Sequence, residues 1–137
     1  MKKPLPVLFF ILVFFSSCKK AIENALDDAI IKAMTDGQWA ITSFKKNGTD
    51  ITTEFSSYTF QYYSNKTVAA IKDGTVEYTG TWDGSAVNKT TWASFPGDSL
   101  PVTLLNGTWK ITNNTWTYVV ASQINGSEIK TFRLDKK

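Results

Sequence analysis

Two hydrophobic periods divide the chain near residue 37, and each predicts a different kind of structure. Over residues 19–35, Ile22, Ala25, Leu26, Ala29, Ile30 and Ala33 recur at the i, i+3, i+4, i+7 spacing of one helical face. Asp27, Asp28 and Lys32 fall elsewhere on the wheel, and Gly37 is placed to end the helix. From Gln38 the period shortens to two. Trp39, Ile41 and Ser43 alternate with Ala40, Thr42 and Phe44, and Tyr58, Phe60 and Tyr62 with Thr59, Gln61 and Tyr63. Val76, Tyr78, Gly80 and Trp82 alternate with Glu77, Thr79 and Thr81; Trp116, Tyr118 and Val120 alternate with Thr117, Val119 and Ala121. Such β-branched and aromatic runs predict strands.

Turn dipeptides separate these runs: Asn47-Gly48, Asp73-Gly74, Asp83-Gly84, Asn113-Asn114 and Asn125-Gly126. The predicted strands are 38–46, 52–63, 67–72, 75–83, 90–95, 107–112, 115–122 and 128–134, eight in all. Gly97 to Leu105, with Pro101, reads as a longer loop or a bulged edge. Short links between consecutive strands favour an all-β fold: an eight-stranded antiparallel up-and-down barrel preceded by one N-terminal α-helix. An immunoglobulin-like sandwich has a similar strand number but needs longer crossovers between its sheets.

The first twenty residues follow different rules. Met1-Lys2-Lys3 precedes an apolar run from Leu5 to Phe15, then Ser16-Ser17-Cys18-Lys19-Lys20. The run is short of the roughly 20 residues of a membrane span and fits the about 7–15 of an export signal. An ordinary secretory signal would leave Cys18, the only cysteine, as a bystander. The small pair directly before it instead resembles a bacterial lipoprotein signal, although Phe15 stands where that motif usually has leucine. The resemblance implies a diacylglyceryl group on Cys18, commonly with an N-acyl chain such as palmitate. Two or more chains hold a protein stably on a membrane. The implied organisation is a signal peptide over 1–17, a lipidated Cys18 and helical spacer over 18–36, and a barrel over 37–137. Surface-exported lipoproteins of this type carry an acidic stretch after the cysteine. Lys19-Lys20 follows here, which implies the periplasmic face of the outer membrane.

Charge and composition narrow the chemistry. Removing Lys2 and Lys3 with the signal lowers the formal charge from +3 to about +1, which argues against nucleic acid. Histidine is absent, and with it the commonest general base and metal ligand. With Cys18 lipidated, no thiol remains for zinc or nucleophilic chemistry. Glu54, Asp73, Glu77, Asp83, Asp98 and Glu128 are scattered, and nothing in their spacing pairs two of them on one strand face. No phosphate loop or nucleophile elbow occurs. The expectation is a protein that is not an enzyme and uses no cofactor or metal.

Gly37-Gln38-Trp39, placed after a helix and opening the first strand, resembles the lipocalin signature. In that family the tryptophan plugs the closed end of the barrel and an arginine near the last strand packs across it. Arg133 is the one arginine and falls on the predicted last strand, so the resemblance implies a Trp39–Arg133 cation–π contact. Over roughly residues 36–137, Tyr58-Thr59-Phe60, Gly80-Thr81-Trp82 and Asn106-Gly107-Thr108-Trp109-Lys110-Ile111 resemble the lipocalin-like lipoproteins of Bacteroidota. The chain is shorter than vertebrate lipocalins and lacks their disulfide, which bears on how roomy a cavity it holds. The implied role is non-catalytic binding of a small hydrophobic or amphiphilic ligand at a membrane. Trp82, Trp92, Trp109, Trp116 and Tyr118 are the candidate contacts. The rival is a barrel filled by those same aromatics, acting as an interaction module whose loops and surface aromatics bind a protein or glycan. An apolar cavity of a few hundred Å³ separates the two.

Overall fold

The computed structural model describes residues 5–137, with side chains from Lys20 onward. The side chains of the predicted signal and of Cys18, the predicted lipid site, lie outside what is described. Helix α1 spans Leu5–Thr35, so the amphipathic segment continues the apolar run in one helix instead of starting near residue 19.

Nine strands follow: β1 (Trp39–Lys46), β2 (Thr49–Asp50), β3 (Tyr58–Tyr62), β4 (Thr67–Lys72), β5 (Thr75–Ser85), β6 (Thr90–Ser94), β7 (Gly107–Asn114), β8 (Tyr118–Asn125) and β9 (Glu128–Lys136). The two-residue β2 only extends the first hairpin. The other eight pair antiparallel with their chain neighbours, and β1 also pairs with β9, which closes an up-and-down barrel.

The seam between β1 and β3 is the weakest, with Trp39 opposite Phe60 as its only ladder pair. A 3-10 turn, Thr52–Phe55, occupies the splay, where the sequence predicts continuous strand over 52–63. Asp50 causes the difference. Its Oδ1 accepts from the Thr52 backbone N–H at 2.9 Å and from the Thr52 hydroxyl, an Asx-type turn that competes with strand. Phe55 is thereby carried inward onto Phe44, with ring centroids 4.9 Å apart.

Positive φ at both Asn47 and Gly48, and at both Asp73 and Gly74, gives the primed turns expected of two-residue hairpins. Two other turns are displaced. Asp83-Gly84 lies inside β5, and the chain reverses over residues 86–89. Asn113-Asn114 ends β7, which leaves Trp116 in the turn before β8 instead of on a strand. Bulges also shift the alternation. One between Ile41 and Ser43 turns Phe44 inward in place of Ser43.

The end carrying the Asn47, Asp73 and Asn125 turns is packed shut. Phe44, Phe55, Phe95, Val102 and Leu105 fill it, the last two from a 3-10 turn, Val102–Leu105. Asn106 ties that turn to the sheet. Its Oδ1 accepts from the Phe95 N–H at 2.6 Å and its amide donates to the Phe95 carbonyl at 3.0 Å. Lys130 is buried at the same end, where its ammonium donates to the Leu104 carbonyl at 3.0 Å and lies 5.5 Å from the Trp109 ring.

Candidate functional site

The opposite end is hollow. A cavity of about 620 Å³ extends from the middle of the barrel to the mouth under α1. That volume lies within the ordinary range for small-molecule pockets. Its floor and walls are Trp82, Trp109, Tyr62, Phe132 and Leu134, inward residues of β5, β7, β3 and β9, with Phe95 just past the end of β6. Its rim is the β5–β6 turn, with Lys89, and the end of β7, with Asn113 and Asn114. Among the described residues, Lys89 is the only charged one in the lining.

α1 supplies the remaining wall. Leu26, Ala29, Ile30, Ala33 and Met34 face the cavity, so the C-terminal half of the predicted apolar stripe is used by the barrel. Ile22 is 62% exposed and Leu26 50% exposed, so the stripe loses its cover toward the N-terminus. Three contacts seat the helix. The Ala86 N–H donates to Asp27 Oδ1 at 2.9 Å. The Trp39 indole N–H donates to the Met34 carbonyl at 2.9 Å. Ile30 packs over Gly84, where an added Cβ would lie 3.3 Å from Ile30 Cγ2.

The candidate residues fall into three groups. Trp82 and Trp109 are each 1% exposed and line the interior. Trp109 lies 4.6 Å from Phe132, and Trp82 meets Tyr62 edge-to-face at 5.2 Å. Trp92 and Trp116 border the cavity from outside its core, at 41% and 62% exposure. Trp92 pairs in register with Asp83 and Thr108, the outward row, while its neighbours Thr91 and Ala93 pair with the inward Trp109 and Trp82. Tyr118 does not belong to the site. Val119 and Ala121 are the buried residues of β8, and Tyr118 faces out against Arg133, 4.2 Å from its ring.

The expected contact between Trp39 and Arg133 is also corrected. Phe132 and Leu134 occupy the inward row of β9, so Arg133 must point outward. There its guanidinium forms a bidentate pair with Asp135 at 2.9 and 3.1 Å. That hydrogen bonding holds the Asp135 carboxyl below its ordinary value. Lys136 takes the place over Trp39, with its ammonium 5.2 Å from the ring. Trp39 does not plug a closed end either. It is fully buried at the hollow end, beneath α1, and borders the cavity.

Sequence reasoning missed Tyr62, the helix residues of the wall, and Lys89, Asn113 and Asn114 on the rim. Tyr62 carried a signal, since it shares the inward phase of β3 with Tyr58 and Phe60. Burial pushes its phenol well above the ordinary tyrosine value.

The sequence matches no family profile and resembles no curated protein. Among solved structures, a DUF4847 family protein from Bacteroides vulgatus ATCC 8482 is similar, with a TM-score of 0.54 and 9% identity over 79% of this chain and 97% of that one. At that identity the likeness speaks for architecture alone: the chain shares the fold of a Bacteroides barrel protein.

Proposed function

We propose that this chain is a lipocalin-like lipoprotein of the cell envelope whose barrel binds a small hydrophobic or amphiphilic molecule without transforming it. The observation that carries the reading is the cavity of about 620 Å³, walled by aromatic and aliphatic side chains and covered by α1. Apolar burial supplies the affinity, and the few polar rim groups orient the ligand. A barrel packed solid at both ends would have favoured the protein- or glycan-binding module instead. The anchor fits the same picture. Cys18 precedes Leu26, a cavity residue, by eight positions on one helix, about 12 Å of helical rise. A lipid on Cys18 therefore holds the hollow end beside the outer membrane, on its periplasmic face, where apolar ligands concentrate.

Mass spectrometry of protein purified from the envelope tests both halves. The denatured mass is expected to be that of the chain from Cys18 onward plus a diacylglyceryl group. The native spectrum is expected to carry a further discrete mass, lost in Ala33→Trp, which fills the cavity from α1. A bare polypeptide under both conditions would sink the reading.

A further inference from the structure

We propose that the Tyr62 hydroxyl sets the specificity of the cavity, and that the ligand is a neutral, largely apolar molecule with one oxygen hydrogen-bonded to it. The inference rests on the reading of the barrel as a small-molecule binder and names the ligand class for it. The indole N–H of Trp39 donates to the Met34 carbonyl at 2.9 Å, that of Trp82 to the Tyr63 carbonyl at 3.0 Å, and that of Trp109 to the Leu105 carbonyl at 2.8 Å. All three indoles thus offer a ligand only their apolar faces.

Tyr62 differs. It is 9% exposed and lines the cavity, yet its hydroxyl has no hydrogen-bond partner among the described residues. Tyr58, two residues earlier on the same face, donates to Glu77 at 3.2 Å. Every fully enclosed side-chain nitrogen or oxygen among the described residues has a partner. The Tyr62 oxygen is therefore not enclosed; it reaches free space, and the space that Tyr62 borders is the cavity. A phenylalanine would pack the same ring against Trp82 without a polar atom to satisfy. The oxygen adds nothing to the fold, so its use lies with what enters.

The charge of the ligand follows from the same walls. Lys89, the one charged lining residue, sits on the rim turn. Among the described residues nothing charged faces the interior beside Tyr62, and an unpaired ion there would be strongly disfavoured. The group that meets Tyr62 is therefore an alcohol, ketone or ester oxygen and not a carboxylate.

Naphthalene and 2-naphthol, which differ by one hydroxyl, test this by calorimetric titration of the purified protein and its Tyr62→Phe variant. Tyr62→Phe is expected to keep its melting temperature and its naphthalene affinity, and to lose about 10-fold in 2-naphthol affinity, the scale of one net hydrogen bond. Unchanged 2-naphthol affinity would overturn the proposal. So would a parallel loss of both affinities with a lower melting temperature, which marks a structural tyrosine. If naphthalene binds neither protein, the cavity reading fails, and this inference with it.

Discussion

Trp109→Ala is expected to cost about 3–5 kcal/mol of folding stability, the range for removing a fully buried aromatic side chain. Trp109 is where the packed and hollow halves of the barrel meet. Its ring lies 4.6 Å from Phe132 and 6.1 Å from Phe44, and the Lys130 ammonium lies 5.5 Å away. Its indole N–H donates to the Leu105 carbonyl at 2.8 Å, the only indole hydrogen bond that is wholly buried. Alanine removes the ring, leaves the Leu105 carbonyl unpaired and lets the cavity run into the packed end. The chain has one cysteine, so no disulfide within it offsets the loss. Small domains hold about 5–15 kcal/mol in total, and urea denaturation should therefore show a midpoint far below wild type. Trp109→Phe, which keeps a ring on Phe132, should recover much of the difference.

Gly80→Ala is expected to cost about 3 kcal/mol, at the upper end of overpacking. A Cβ on Gly80 would sit 2.4 Å from the Ser94 carbonyl oxygen and 2.9 Å from the Phe95 ring. The carbonyl is backbone in the β5–β6 ladder, where Thr81 pairs with Ser94, so it cannot move aside without breaking pairing. Gly84→Ala is the internal control. Its added Cβ would lie 3.3 Å from Ile30 Cγ2 on α1 and 3.7 Å from the Thr90 carbonyl oxygen, a milder conflict expected to cost about 1 kcal/mol. Equal denaturation midpoints for the two variants would contradict the close approach of β5 and β6 at Gly80.

The strands were legible because the alternation and the Asn-Gly and Asp-Gly turns agreed with each other. Where they parted, the sequence misled. Asp83-Gly84 has turn chemistry, but Gly84 lies inside β5 beneath Ile30 of α1, and no local rule contains that tertiary placement. The bulge at Ile41/Ser43 is invisible to strict period two, which puts Phe44 in phase with Ala40 and Thr42, whereas the fold buries it with Trp39 and Ile41. Arg133 could have been placed correctly. Phe132 and Leu134 on either side fix its parity, and that local fact outweighs a pairing implied by resemblance. Tyr118 falls to the same argument, because Val119 and Ala121 are the smaller residues that fit the interior. The cavity itself was not legible. It depends on Phe55, Val102 and Leu105 filling one end through 3-10 turns while α1 spans the other without filling it.

The central claim, that a small apolar molecule binds inside the barrel, is tested most directly by NMR of the five tryptophan indole N–H groups during naphthalene titration. The account predicts saturable shifts, at one naphthalene per chain, that are largest at the interior Trp82 and Trp109. Shifts confined to the exposed Trp92 and Trp116, or none at saturation, would contradict it and return the barrel to a surface-binding role.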